Sequence, residues 1–239
     1  MTPRRLKLFS IVVLALFFSV FLVTFVFAQP NGAKTVTQGG STRASAGTPD
    51  NNSAQAGNLT EITIFGYSTT ESWQAYYGNV SGTIQLANAN GKVMYNWSIA
   101  SPEGEIYSSV AGSITWTDIA CFNMTANLTD LEAASNISSD DVDGVDETFN
   151  LNDHAVFYTD GKTFTSGQCN NTKLYNNESE GSFDEVLMTD GGNTVFAALL
   201  QENAPGFDSN SHDFEMLVLE DGHDADTTTT PYFFYIELQ

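Results

Sequence analysis

The stretch TIQLANANGKVMYNWSI, from Thr83 to Ile99, reads as two short strands around a tight turn. Apolar and polar residues alternate on both sides of Asn88-Ala89-Asn90-Gly91, which is expected to form the turn, with Asn-Gly supplying the positive φ of a hairpin. The return strand places four apolar residues on one face: Val93, Tyr95, Trp97 and Ile99. We expect that face to pack in a core and the other face to meet solvent.

The preceding block, WQAYYGNVSGTIQL, runs from Trp73 to Leu86. Tyr76 and Tyr77 are expected to lie in or at the rim of the core with Trp73. Gly78 and Gly82 are expected to let the strand bend or another backbone approach. Core packing is the expectation for all three tryptophans, and stacking of exposed aromatic rings on sugars is the alternative; these are Trp73, Trp97 and Trp116.

Nine further stretches have the alternation or composition of strands. They are Glu61–Phe65, Glu105–Val110, Ser113–Trp116, Ala155–Tyr158, Lys162–Thr165, Asp184–Met188, Thr194–Leu200, Asp213–Leu219 and Tyr232–Leu238. The last of these is apolar on both faces, which is typical of a central strand. Helix is predicted only over Asp130–Asn136, with a capping box at Thr129–Glu132, and over Ser139–Phe149. The pattern predicts an all-β fold, an antiparallel β-sandwich or jelly-roll-like domain with one or two short helices.

The chain divides into three parts by composition. Residues 1–28 place Arg4, Arg5 and Lys7 before an apolar run, which predicts either a signal peptide cleaved after Ala28 or an uncleaved membrane anchor. Residues 29–57 have few apolar side chains and predict a flexible spacer. Residues 58–239 are predicted to form the extracellular domain, which would sit at the membrane surface if the anchor is kept.

The exported part is strongly acidic, because residues 1–28 contain three of the eight basic residues and none of the 29 acids. Its net charge of −24 excludes nucleic acid as a partner and favours solubility. In an oxidising exterior, Cys121 and Cys169 are expected to form one disulfide. Nine N-x-S/T triplets are expected acceptors of N-linked glycans: Asn51, Asn58, Asn79, Asn96, Asn123, Asn127, Asn136, Asn170 and Asn177.

Two acidic segments are candidates for a metal site, with calcium as the expected ion. In SSDDVDGVDETFN the oxygen ligands would be Asp141, Asp143 and Asp146, although the segment departs from a calcium loop at both ends. A solvated, acidic helix start is the competing interpretation. In DGHDAD the ligands would be Asp221, His223 and Asp224, and a polar loop between two strands is the alternative. No other cofactor is predicted.

Signatures of catalysis are missing from the sequence. It contains no HExxH, no GxSxG and no phosphate-binding glycine loop, and its three histidines are scattered. A glycosidase needs only two facing carboxylates, so a secreted hydrolase stays open as a third function class.

Two blocks carry a resemblance to a known group. The first is W-x-x-Y-Y-G-N-V-S-G-x-I-x-L followed by N-G-x-x-M-Y-x-W, and the second is HDFEMLVLEDGHDADTTTTPYFFYIEL, from His212 to Leu238. Together they resemble a widespread group of archaeal exported surface proteins, over most of residues 60–239. The resemblance implies a location in the cell envelope or outside the cell, and it carries over no functional residue.

These features predict a non-enzymatic, glycosylated structural or adhesion protein at the cell surface, such as a subunit of a filament or an envelope layer. Its expected partners are further copies of itself or other envelope proteins, joined through a strand edge or the N-terminal segment. The alternative is a surface module that binds carbohydrate or calcium.

Overall fold

A computed structural model describes residues 29–99, 101–176 and 179–238 of the chain. The predicted signal peptide or anchor therefore lies outside the described residues, among which no helix has the length and apolarity to cross a membrane. The strands are β1 Asn31–Gly32, β2 Trp73–Gly78, β3 Thr83–Ala87, β4 Val93–Ser98, β5 Gly104–Ser109, β6 Ala120–Cys121, β7 Phe157–Thr159, β8 Lys162–Phe164, β9 Asn171–Asn176, β10 Ser179–Thr189, β11 Thr194–Leu199, β12 Ala204–Pro205, β13 Ser211–His212, β14 Phe214–Leu219 and β15 Phe233–Leu238. The α-helices are α1 Met124–Ala134 and α2 Val145–Thr148, and single 3-10 turns lie at Trp116–Asp118 and His223–Ala225.

The central element is a seven-stranded antiparallel sheet. Its order is β1-β15-β5-β11-β10-β6, and β9 also pairs with β10. Four two-stranded sheets complete the described part of the chain: β2 with β14, β3 with β4, β7 with β8, and β12 with β13. The predicted all-β, antiparallel, sandwich-like class is confirmed.

Both faces of the central sheet are buried, because strands in its middle carry apolar residues on either side. In β11, Val195 and Ala197 belong to one core, whereas Phe196 and Ala198 belong to the other. The first core is closed by the β7–β8 hairpin and by the loop that contains Trp116. The second is closed by the β2–β14 pair and by residues of α1 and α2.

The predicted disulfide is confirmed. Cys121 in β6 is bonded to Cys169, just before β9, with 5.1 Å between their Cα atoms. The buried ring of His154 supports this region: its Nε2 accepts a hydrogen bond from the Cys169 backbone N–H at 3.0 Å, and its Nδ1 lies 2.7 Å from the Ala155 carbonyl. The histidine thus acts as a structural bridge beside the disulfide.

Several local predictions are wrong. Residues 61–65 lie in no strand, and Ser113–Trp116 is a loop that enters a 3-10 turn. Helix α1 begins after Asn123, whose side chain accepts from the Ala126 backbone N–H, so the predicted capping box at Thr129–Glu132 does not start it. Only four residues of Ser139–Phe149 are helical. Strand β9 has polar residues on both faces and was not predicted.

Strand β15 confirms the prediction of apolar residues on both faces, but it is not central. It lies between β5 and the two-residue strand β1, which covers only Tyr235 and Ile236. The start of the predicted spacer therefore joins the sheet edge. Its next residue continues the contact, since the Ala33 N–H donates to the Phe234 carbonyl at 2.9 Å.

Gly104 allows β5 and β15 to approach closely. Its φ is 122°, and a Cβ at this position would lie 2.0 Å from the Glu237 carbonyl oxygen. We predict that Gly104→Ala lowers the free energy of unfolding by more than about 2 kcal/mol, since the strained φ alone costs on the order of 1–3 kcal/mol. Chemical denaturation measures the loss.

Two other glycines provide controls for that measurement. Gly91 has a φ of 72° but open space around it, so Gly91→Ala should cost only the φ strain. Gly40 has neither constraint, and Gly40→Ala should leave stability unchanged. Equal losses in Gly104→Ala and Gly91→Ala would contradict the close approach of the two strands.

Candidate functional site

The β3–β4 hairpin leaves its apolar face uncovered. Directly opposed pairs, Ile84 with Trp97 and Leu86 with Tyr95, place four large side chains on one face, and each is about half exposed. The Tyr95 and Trp97 rings contact each other at 4.9 Å between centroids. The predicted turn over residues 88–91 is confirmed: the Gly91 N–H donates to the Asn88 carbonyl at 2.8 Å, and Gly91 has a φ of 72°. The prediction that this face packs in the core is wrong, and so is core packing of Trp97.

The other two tryptophans do pack in the cores. Trp116 is buried against Tyr107 and Tyr235. Trp73 is partly buried against the Phe149 ring, and its Nε1 donates to the Asp143 carbonyl at 2.6 Å. The predicted core or rim position also holds for Tyr76, whereas Tyr77 is about half exposed.

A second uncovered apolar segment precedes the folded part. Residues 59–67, which we call the arm segment, expose five large apolar side chains; these are Leu59, Ile62, Ile64, Phe65 and Tyr67. Phe65 is 89% exposed, so its side chain is almost as accessible to solvent as it would be in an unfolded peptide. The alternation that predicted a strand is present, yet no strand among the described residues pairs with this segment.

Charge is divided unevenly between these surfaces and the rest of the chain. Residues 29–102, which contain the arm segment and the hairpin, carry three acids and three bases. Residues 103–239 carry 26 acids and two bases. From Ser72 to Pro102 the only charged residue is Lys92. The exposed apolar surface is therefore the electrically neutral part of a strongly acidic molecule.

Many acids of the second half serve the fold. Six buried carboxylates each accept a backbone N–H from a loop or a neighbouring strand; they are Glu105, Glu132, Glu185, Asp213, Glu215 and Glu237. Asp213 fixes two loops at once. Its carboxylate accepts from the Val80 N–H at 2.7 Å and from the Asn203 N–H at 2.9 Å. Each of these buried carboxyl groups thus has a backbone N–H as a hydrogen-bond partner.

One row of acids lies across the end of the central sheet. Glu105 in β5 stands directly opposite Glu237 in β15, and Asp184 in β10 lies on the same face. Burial raises the pKa of Glu237 and of Asp184 from the ordinary values of these groups. Burial, together with Glu105 and Glu237, also raises the pKa of the Tyr107 hydroxyl, which contacts Glu237 at 3.2 Å.

Glu105 and Asp184 also line a pocket of about 490 Å³ between β7 and the loop after β11. Both carboxylates are occupied by structural contacts. Glu105 accepts from the Tyr158 N–H at 3.3 Å, and Asp184 accepts from the Asn171 side chain at 3.0 Å. Glu105 thereby links β7 to the central sheet, and Asp184 links β9 to β10 within that sheet.

The first predicted metal site does not form as predicted. Asp141 accepts from the Ser138 N–H at 2.7 Å, and Asp143 accepts from the Thr70 hydroxyl. Asp146 instead lies beside Glu132 and Glu147, and carboxylate oxygens of these three lie within 4.8 Å of one another. Sequence reasoning missed Glu132, which is on α1 and approaches the α2 start only in the folded chain.

Electrostatics in this carboxylate group follow from the crowding of like charges. Burial is the main cause that raises the pKa of Glu132, and the neighbouring charge of Asp146 adds to it. A hydrogen bond from the Val145 N–H acts in the opposite direction. A hydrogen bond with Asp146 is the main cause that raises the pKa of Glu147. A shared proton or a bound cation would relieve the repulsion.

The second predicted metal site has two members in contact. Asp221 lies 3.2 Å from His223 Nδ1 and accepts from the His223 N–H. Asp224 is exposed with a φ of 55°. Among the described residues these three do not form a group with metal-ligand spacing.

The predicted glycan acceptors lie mostly at the surface. Six are exposed, namely Asn51, Asn58, Asn79, Asn96, Asn123 and Asn136, and two are partly buried, Asn127 and Asn170. Asn177 lies outside the described residues. Asn96 pairs with Gln85 on the polar face of the hairpin, so a sugar there would leave the apolar face open. Asn170 donates through Nδ2 to the Phe149 carbonyl at 3.0 Å, which makes it the least accessible acceptor.

No protein-family model matches this chain, and neither does any curated protein or solved structure.

Proposed function

We propose that this chain is a non-enzymatic, glycosylated protein outside the cell, which acts as a structural or adhesion subunit of a surface filament or envelope layer. The supporting observation is the uncovered apolar hairpin, which projects from a disulfide-linked acidic domain. Monomeric proteins rarely expose contiguous apolar surface without a partner for it. The N-terminal apolar run and the resemblance of the two sequence blocks to archaeal surface proteins support export.

The use of carboxylates in this fold also supports a non-enzymatic role. Catalytic acids have to reach a substrate, whereas the two buried acids of the pocket, Glu105 and Asp184, accept hydrogen bonds from a backbone N–H and a side-chain amide.

Display at the surface predicts three properties of the protein isolated from the cells that make it. A membrane-impermeant biotin reagent should label it on intact cells. Its mass should exceed the sequence mass by N-linked glycans, with Asn96 occupied before Asn170 because Asn96 is exposed. N-terminal sequencing should give either Gln29 or an intact membrane-bound Met1. Unlabelled protein with unmodified asparagines and free thiols would contradict the proposal.

The alternative is a surface module for carbohydrate or calcium. Its supporting observations are the exposed Tyr95–Trp97 ring pair, which could stack on a sugar, and the three converging carboxylates of Glu132, Asp146 and Glu147. A glycan array with the unsubstituted chain and Trp97→Ala tests the first, and calorimetry with calcium tests the second. Binding in either assay by a protein that stays monomeric favours this alternative.

A further inference from the structure

We propose that residues 61–65 of one copy add as a third strand to the β3–β4 hairpin of a second copy. This inference rests on the proposed function and names its partner and contact surface. Four observations carry it: a strand-like segment without a strand partner, a two-stranded sheet without cover, the neutrality of both, and the position of the arm.

The donor segment has the pattern of a strand. In Glu61-Ile62-Thr63-Ile64-Phe65, the two isoleucines share one face, and β-branched residues occupy the middle three positions. In the structure these residues lie in no strand, and Ile64 is 82% exposed. An extended segment with this composition gains both backbone hydrogen bonds and apolar burial when it joins a sheet edge.

The acceptor hairpin has an unpaired edge on each side. Within the described residues, β3 pairs only with β4, and an isolated two-stranded sheet is marginally stable in water. A third strand whose isoleucines point to the apolar side would extend the row formed by Ile84, Leu86, Tyr95 and Trp97. The polar face, with its glycan acceptor Asn96, stays in solvent in this arrangement.

The distribution of charge favours a second copy of this chain as the partner of the hairpin. An acidic protein face brought against another would repel it, because each copy carries 26 acids after residue 102. The arm segment and the hairpin avoid this repulsion, since they contain one charged residue each, Glu61 and Lys92, of opposite sign. A second copy of the same chain is thus the partner whose surface matches.

The arm segment and the hairpin leave from opposite ends of β2 within one chain. The Thr70 hydroxyl donates to Asp143, and the Glu71 carbonyl accepts from the Gly222 N–H, so the arm leaves from the start of β2. The hairpin follows the end of β2, which is about 17 Å away at 3.3 Å per residue. Within the described residues the hairpin pairs with no part of the arm segment, so both remain available to another copy.

The resulting contact is heterologous, because the donor and the acceptor are different surfaces of the chain. Each copy that accepts an arm still offers its own, so contacts repeat head to tail. Such contacts close into a ring or grow into an open filament.

Cross-linking tests the contact directly. The described cysteines are both in the native disulfide, so a substituted cysteine is the only added thiol. Full-length Ile64→Cys is mixed with full-length Ile84→Cys or Trp97→Cys under mild oxidation. We expect a disulfide-linked heterodimer with at least one of the two, and the reactive variant identifies the accepting strand. Val36→Cys places an exposed thiol in the spacer, outside residues 59–67. It should cross-link at least tenfold less.

Substitutions that leave the domain intact test the same contact without cross-linking. Thr63→Pro removes a backbone N–H in an exposed segment, and Ile64→Asp adds a charge there. Each should weaken self-association at least tenfold in sedimentation velocity, whereas Ser53→Pro and Val36→Asp should not.

The outcomes separate the inference from the proposed function. Self-association that is unchanged by both substitutions, without the cross-link, overturns the inference and leaves the surface protein in place. A protein that is labelled on intact cells yet stays monomeric at high concentration also overturns it. Absence from the surface overturns the proposed function, whatever the cross-linking shows.

Discussion

Glu185→Gln is expected to flatten the pH dependence of stability by up to about 1.4 kcal/mol per pH unit above pH 4.5, the effect of one bound proton. Glu185 is fully buried in β10 and faces β14. One of its oxygens accepts from the Leu217 N–H at 2.8 Å, and its Oε1 has no hydrogen-bond partner among residues 29–99, 101–176 and 179–238. The site therefore suits an uncharged side chain.

The sign of the effect follows from the direction of the pKa shift. Burial raises the pKa of Glu185 well above its ordinary value, and the hydrogen bond from Leu217 opposes this only in part. The folded chain keeps a proton that the unfolded chain releases above about pH 4.5. The contribution of this group to stability is full below that pH and is lost as the pH rises through the folded pKa.

Glutamine keeps the acceptor for Leu217 and cannot ionise, so Glu185→Gln should be more stable than the unsubstituted chain at pH 8 and similar to it at pH 4.5. Urea denaturation at both pH values measures the difference. Glu71→Gln, at an exposed position, is the matched control and should leave the slope unchanged. An unchanged slope in Glu185→Gln would mean that the folded chain ionises this group as readily as the unfolded one.

Removal of the Cys121–Cys169 disulfide is the second large effect. The bond closes a sequence separation of 48 residues, and the chain-entropy relation assigns such a loop about 4 kcal/mol. It also joins β6 to the start of β9, two short strands that share the same edge of β10. The double variant Cys121→Ala, Cys169→Ala should lose about this amount in denaturant unfolding.

Its control is the unsubstituted chain with the disulfide reduced, which should behave like the double variant in the same assay. A loss below about 1 kcal/mol would contradict the assigned role, because at that level the chain-entropy contribution would be cancelled. The two predictions concern different parts of β10, so their effects should add in a combined variant.

Local alternation predicted much of the sheet but not what covers it. Strands β10, β11, β14 and β15 could be predicted from the sequence because each has a continuous apolar or alternating pattern. The same pattern in β4 correctly gave one apolar face, and yet that face is exposed at Tyr95 and Trp97. Period-two alternation reports which side chains share a face, and it contains no information on the partner of that face.

The structural carboxylates were not predictable, and the reason is geometric. A carboxylate that accepts a backbone N–H from a distant loop has no spacing rule, as Glu237 shows with Asp160. The group of Glu132 with Asp146 and Glu147 likewise joins two helices. The disulfide was predictable because only two cysteines are present, which leaves one pairing.

Hydrogen–deuterium exchange of the full-length protein at low and at high concentration tests the central claim most directly. If a second copy covers the hairpin, amides of residues 83–98 and 61–65 should exchange rapidly when the protein is dilute and become protected together as it self-associates. The buried strands β10 and β11 should be protected at both concentrations. Rapid exchange of both segments in the self-associated protein, or equal protection at all concentrations, would contradict the account.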